Sequence, residues 1–105
     1  MPNISDTPPE AIQQNINALT TDLATKIPSK MLDQNLLIAT WNIRHFGNLT
    51  REWYSGDGDS PKRDLHSLLC IAEILKRFDI IAIQEVKSNL RALRDTLKYL
   101  GNHWS

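Results

Sequence analysis

Two polar residues, Asn42 and Glu85, close two short apolar segments and are of types that could do chemistry together. Residues 36–42 read Leu-Leu-Ile-Ala-Thr-Trp-Asn, and residues 79–85 read Asp-Ile-Ile-Ala-Ile-Gln-Glu. A carboxylate beside a second oxygen ligand suits Mg²⁺ or Mn²⁺, which bind oxygen donors and keep several waters. A neutral carboxamide can orient a phosphate without adding charge. A purely structural interpretation stays open, because polar residues often end a strand where the chain leaves the core.

Arg44 and His45 follow Asn42 closely and are candidates to contact a phosphate at the same place. The alternative is that both are ordinary solvated loop residues, since loops carry many polar side chains that belong to no binding site. His66 lies off the apolar face of a predicted helix and is interpreted as a solvated residue. His103 precedes Trp104, where a third strand is expected to begin with Trp104 in the core.

Chemistry at Asn42 and Glu85 requires elements that bring them together. The two apolar segments are nearly continuous and rich in β-branched residues, which predicts strands covered on both faces. Residues 62–77 between them have leucines at helical spacing. A strand, a helix and a strand form a right-handed parallel unit. Parallel strands end at one edge of the sheet, so we expect Asn42 and Glu85 side by side at that edge.

Helix boundaries can also be read from the sequence. Ser60-Pro61 is expected to cap the helix at 62–77, and Gly101 is expected to end a further helix that starts after Ser88. Residues 1–30 form a separate, more polar segment, in which isoleucines and leucines recur at helical spacing after a Thr7 cap. We expect this amphipathic helix to dock on its own domain; the alternative is a helix that binds a partner.

Composition excludes several classes of protein. The chain has 105 residues, with 12 basic and 12 acidic side chains, which is the size of one small domain. Balanced charge gives no support for a basic nucleic-acid surface or a polybasic membrane anchor, so phosphate binding would need a local site. The single cysteine, Cys70, excludes an intrachain disulfide and is expected to be an inert core thiol. Without a signal-peptide pattern or a membrane-length apolar run, we expect a cytoplasmic protein with no membrane partner.

The residues Ile-Ala-Thr-Trp-Asn-Ile-Arg at 38–44, followed by Asp-Ile-Ile-Ala-Ile-Gln-Glu-Val at 79–86, resemble the start of the endonuclease/exonuclease/phosphatase superfamily. The resemblance covers residues 36–105 and implies the β-α-β-α start of a deoxyribonuclease I-like four-layer α/β sandwich. It implies that Glu85 binds a divalent cation, Mg²⁺ or Mn²⁺, and that Asn42 organises the metal and the scissile phosphate. Residues 1–30 then form an accessory helical segment, and residues 31–105 form the N-terminal part of the domain.

The resemblance further implies hydrolysis of a phosphate ester, with DNA as the expected substrate. In this family a histidine paired with an aspartate activates water, and neither the later Asp-x-Asn pair nor the closing Asp-His motif of the family has a counterpart after Glu85 here. We therefore expect the chain by itself to be inactive, and to self-associate through exposed strand edges and apolar faces. The alternatives are a small α/β binding module without catalysis and a truncated gene product.

Residues 45–61 are long for a simple connection and include Trp53 and Tyr54, which predicts a folded loop that could line a substrate groove. These aromatic residues could stack on a base or anchor the loop to the domain. The basic residues Lys87, Arg91, Arg94 and Lys98 are interpreted as a solvated face, with Asp95 offsetting Arg91.

Overall fold

The structure is a computed structural model of the chain that describes residues 1–31 and 35–104, apart from the side chains of His45 and Glu85. In chain order its elements are α1 (Glu10–Lys26), β1 (Ile38–Phe46), α2 (Leu65–Leu75), β2 (Ile80–Val86) and α3 (Arg91–Leu100). This order confirms the prediction of an N-terminal helix followed by a β-α-β-α unit. The fold is of the α/β class.

The two strands form one parallel sheet, as predicted for strands joined through a helix. Pairing begins at Ile38 opposite Ile80 and is regular up to Asn42 opposite Gln84. β1 then advances four residues to Phe46 while β2 advances only two to Val86, so β1 carries an irregularity between Asn42 and Phe46. β1 also runs four residues beyond the predicted end at Asn42.

Only one face of this sheet is covered in the described part of the chain. Trp41, Ile81 and Ile83 pack against the buried cluster that the helices form. On the opposite face Ile38 and Ile80 are 61% and 53% exposed. The prediction that both faces are covered is wrong, because the helices following β1 and β2 lie on the same side. The expected exposure of apolar faces is confirmed.

The core lies between the sheet and α2, with contributions from the loops on either side. Its fully buried members include Phe46 at the end of β1 and Leu65 and Leu68 on α2. Ile12 of α1 is 1% exposed and belongs to the same cluster, and Arg77 donates to the Thr20 carbonyl at 3.0 Å. The N-terminal helix therefore docks on its own domain, as expected.

The helix starts differ from the sequence prediction at two places. α1 begins at Glu10, and Pro9 is its N-cap residue. No side chain accepts a hydrogen bond at this cap, so Thr7 does not cap the helix. α2 begins at Leu65 because the Asp64 carboxylate accepts the Ser67 backbone N–H at 2.9 Å, and Asp64 is therefore the cap in place of Ser60-Pro61.

The end of α3 is as predicted. Gly101 has φ +97°, a left-handed conformation that glycine adopts without strain. Residues 102 and 103 form a turn, and the third strand expected to begin at Trp104 would fall outside the described residues. Trp104 is half-buried beside α3, and Lys30 Nζ lies 5.4 Å from its ring centroid.

Candidate functional site

The carboxyl ends of β1 and β2 meet at one edge of the sheet, as parallel pairing requires. Asn42 of β1 pairs in register with Gln84 of β2, and Glu85 is the next residue of β2 after Gln84. The irregular segment of β1 between Asn42 and Phe46 lies opposite Glu85. The edge thus brings together the backbones of the two residues that the sequence singled out.

Asn42 projects from the open face of the sheet. It is exposed, and so is its register partner Gln84 on the same face. Both carboxamides are accessible to a ligand. Gln84 was not among the predicted site residues, although it belongs to the Gln-Glu pair that ends the second apolar segment.

Arg44 is exposed in the irregular segment, and its carbonyl accepts a hydrogen bond from Arg63 Nη2 at 2.9 Å. The Arg63 guanidinium also lies 5.7 Å from the Phe46 ring centroid, and burial lowers its pKa from the usual value. This contact ties the residues before α2 to the irregular end of β1. The side chains predicted for the site at His45 and Glu85 lie outside the described residues.

Gly47 holds the two strand ends close together. A Cβ at this position would lie 2.8 Å from Lys87 Cβ and 3.4 Å from the Asn89 carbonyl oxygen, so only glycine fits without a shift. The Gly47 carbonyl accepts the Ala92 N–H at 2.8 Å, which fixes the start of α3 at the same edge. Gly47 directly follows the observed end of β1 at Phe46, five residues after the predicted end at Asn42.

The loop between β1 and α2 is folded, as predicted. Asp64 is buried and accepts from the backbone N–H of Ser55 as well as from Ser67. Trp53 packs against the core, which supports the anchoring role. Tyr54 is 57% exposed and makes an edge contact with the His66 ring at a centroid distance of 6.4 Å.

A charged pair anchors the same loop to α3. Arg51 Nε and Nη2 donate to the two carboxylate oxygens of Asp95 at 3.0 and 2.9 Å. Asp95 is buried, and its hydrogen bonds raise the pKa of Arg51. Asp95 thus pairs with Arg51 across the fold, and the predicted offset of Arg91 along the helix is wrong.

His66 and Cys70 lie away from the strand edge, on α2 facing α1. His66 Nε2 is 2.8 Å from Asn15 Oδ1, and the Cys70 sulfur is 3.9 Å from the same oxygen. Cys70 is half-buried, so the expected core position is wrong. Burial raises the pKa of its thiol and the charges of Asp64 and Glu73 raise it further, which favours the unreactive protonated form.

Neither a metal cluster nor a spanning helix is found among the described groups. No three histidine, cysteine, aspartate or glutamate side chains of residues 1–31 and 35–104, with His45 and Glu85 set aside, converge as metal ligands. Across those same two ranges, every helix is too short or too polar to cross a bilayer.

The geometry defines an α/β protein with amide-bearing and acidic residues at the carboxyl edge of a parallel sheet. A family model described as the Endonuclease/Exonuclease/phosphatase family matches residues 39–104, which is more than half of the chain and includes both strands. The chain belongs to this family of nuclease- and phosphatase-type hydrolases, and α1 lies outside the matched range. Comparisons with curated proteins and with solved structures gave no match.

Proposed function

We propose that this chain supplies the first half of a metal-dependent phosphodiesterase site, with Asn42 and Glu85 as its functional residues and DNA as its substrate. The observation that carries the proposal is the register of the sheet, which sets Asn42 opposite Gln84 and next to the backbone of Glu85. Membership of the endonuclease/exonuclease/phosphatase family supports the phosphoester chemistry.

Glutamate and asparagine are ligand types that suit Mg²⁺ or Mn²⁺. Mg²⁺ keeps several waters and also binds substrate phosphate, so one carboxylate and one exposed amide oxygen would be enough protein ligands for it. Glu85 and Asn42 would hold the ion. When bound, such an ion supplies charge stabilisation to the phosphoryl oxygens and the leaving group.

The other residues of the edge would bind and orient the substrate. The Asn42 carboxamide would donate to a phosphate oxygen, and the exposed Arg44 guanidinium would add a positive charge beside it. His45 is a further candidate for phosphate contact. Gly47 would keep the two strand ends at the spacing that a shared ligand needs.

Among the described residues, no histidine is paired with an aspartate that would help it to activate water. His66 is hydrogen-bonded to Asn15 away from the strand edge, and His103 is exposed beyond α3. We therefore expect the chain to bind a divalent cation while hydrolysing phosphodiesters very slowly. Assays with supercoiled DNA and a phosphomonoester would test this. Rapid turnover that Glu85→Ala abolishes would contradict the expected inactivity.

Cation binding gives the direct test of the site. In calorimetric titration with Mg²⁺ and Mn²⁺, Glu85→Gln is expected to weaken binding at least tenfold and Asn42→Ala about threefold, since the carboxylate contributes the charge. Glu10→Gln is the matched control, because Glu10 is an exposed carboxylate on α1 outside the family match. Binding that is unchanged in Glu85→Gln would reject the site. A nucleotide or DNA ligand that binds equally well to Glu85→Gln would favour the alternative of a non-catalytic module.

A further inference from the structure

The last residues of β1 are held by more than strand pairing. Between Asn42 and Phe46, β1 uses four residues where β2 uses two, so the regular ladder of hydrogen bonds is interrupted. Pairing resumes where the Phe46 carbonyl accepts the Lys87 N–H at 3.0 Å. Backbone groups that leave a ladder need other partners. The conformation of residues 43–45 therefore depends on contacts from outside the sheet.

Arg63 supplies such a contact from the residues that precede α2. Its Nη2 donates to the Arg44 carbonyl at 2.9 Å, in the middle of the irregular segment. Its Cζ lies 5.7 Å from the Phe46 ring centroid, which is within the range of a cation–π contact. One guanidinium thus contacts the end of β1 at two residues.

The backbone of Arg63 is itself well fixed. Its carbonyl accepts the Thr50 N–H at 2.8 Å, and the Thr50 hydroxyl donates to the Pro61 carbonyl at 2.6 Å. The next residue, Asp64, is buried and caps α2. Arg63 therefore lies where the two ends of the loop meet at the first turn of α2, and its side chain extends from an anchored position.

The two contacts suit arginine and do not suit lysine. A planar guanidinium can donate from one nitrogen to a carbonyl while the group lies over an aromatic ring, whereas an ammonium is a single point of charge. Arg63 is also half-buried, and placing a cation there costs free energy that its contacts must offset. The arrangement is that of a structural cation that holds a backbone segment.

The segment that Arg63 contacts carries residues proposed to bind phosphate. Ile43 and Phe46 are buried and bound the segment on either side. Arg44 and His45 lie between them, so their backbone is the part that depends most on the contact from Arg63. Because the direction of a side chain follows the backbone that carries it, a turned Arg44 carbonyl would redirect the Arg44 guanidinium.

We infer that Arg63 is a positioning residue, which fixes the backbone of residues 44–46 and thereby directs the Arg44 side chain at the strand edge. Its effect on a ligand rests on the proposed function. Its effect on the backbone does not, and the two are measured separately.

Nuclear magnetic resonance of the full chain, without metal or DNA, tests the effect on the backbone. Arg63→Lys keeps the charge and cannot make both contacts. The amide resonances of residues 44–46 are expected to shift, and their hydrogen exchange is expected to become faster. Unchanged amides in this variant would overturn the inference, whatever the chain binds.

Arg77→Lys is the matched control. Arg77 donates through the same nitrogen to a backbone carbonyl, that of Thr20, at 3.0 Å, but it follows the other end of α2. The substitution removes a similar contact and is expected to leave the amides of residues 44–46 unchanged. Equal shifts at residues 44–46 in both variants would mean that the whole fold has changed, and would contradict a local role of Arg63.

Affinity for a short labelled DNA duplex in Mg²⁺, measured by fluorescence anisotropy, tests the effect on the ligand. Arg63→Lys is expected to weaken binding about fivefold, whereas Arg77→Lys is expected to leave it unchanged. In a chain that already carries Arg44→Ala, Arg63→Lys is expected to have no further effect, because Arg63 acts through Arg44. An equal loss in both backgrounds would mean that Arg63 itself contacts DNA, and would overturn the positioning role.

The two measurements separate failure of this role from failure of the proposed function. If the wild type does not bind DNA while the amides of residues 44–46 respond to Arg63→Lys, the proposed substrate is wrong and the backbone role of Arg63 stands. Urea unfolding establishes that each variant is folded. If Arg63→Lys does not fold, Arg63→Gln replaces it with the same expected shifts, since a neutral amide avoids burying a misplaced ammonium.

Discussion

At the scale of single residues, the candidate site depends on close backbone approach as much as on its polar side chains. Asn42 and the backbone of Glu85 are near each other because of the strand register. Gly47 then brings the end of β1 against Lys87, at the start of the connection to α3. A side chain at Gly47 would separate the two strand ends.

Gly47→Ala is expected to destabilise the fold by about 1–3 kcal/mol, because the new methyl group overlaps Lys87 Cβ, an atom next to the backbone that cannot easily move. Urea unfolding measures the change. Gly58→Ala is the control, since a Cβ there meets no atom within 4 Å, and its effect should stay within about 0.5 kcal/mol. Equal effects of the two substitutions would contradict this account of Gly47.

At the scale of elements, polar contacts between α2 and α3 supplement the apolar core. Tyr99 on α3 donates its hydroxyl to Glu73 Oε1 on α2 at 3.2 Å, and Lys76 Nζ lies 4.7 Å from the Tyr99 ring centroid. Burial, followed by the charge of Glu73, raises the pKa of Tyr99 to about 12. This contact makes the stability of the helix pair sensitive to alkaline pH.

The free energy of unfolding is expected to fall as pH rises from about 10 to about 12. In that window the unfolded chain ionises the tyrosine at its ordinary pKa while the folded chain keeps the proton. Because water screens this half-buried group, the folded state loses only about 1–2 kcal/mol from it. Absorbance of tyrosinate and denaturant unfolding across this range give the measurement. Tyr99→Phe should flatten the dependence, whereas Tyr54→Phe, which removes an exposed tyrosine, should not. The same slope in both variants would contradict the assignment.

At the scale of the whole molecule, the core formed by the described residues lies on one side of the sheet. Ile38 and Ile80 face each other in register on the uncovered side, 61% and 53% exposed. A patch of this kind marks an interaction surface or a liability for aggregation. It adds little to the stability of the single chain, because these side chains remain in contact with water.

Ile38→Thr combined with Ile80→Thr is expected to change the free energy of unfolding of the monomer by less than about 1 kcal/mol, since threonine suits a strand and little burial is lost. The double threonine variant should also bind less of the dye ANS than the wild type does. Leu68→Ala, at a fully buried position of α2, is the contrasting variant and should cost about 2–5 kcal/mol. A large loss of stability in the threonine variant would mean that the open face is covered.

The sequence by itself determined the order of the elements, the parallel pairing, the end of α3 at Gly101 and the polar residues at the strand ends. These depend on local periodicity and on motifs, which can be read from neighbouring residues. Tertiary structure alone decided that Asn42 pairs with Gln84, that Asp95 pairs with Arg51, and that Asp64 caps α2. It also decided that the helices cover one face of the sheet and leave the other open. Contacts such as that between Arg51 and Asp95 join distant residues and depend on which surfaces meet after packing, so no local pattern encodes them.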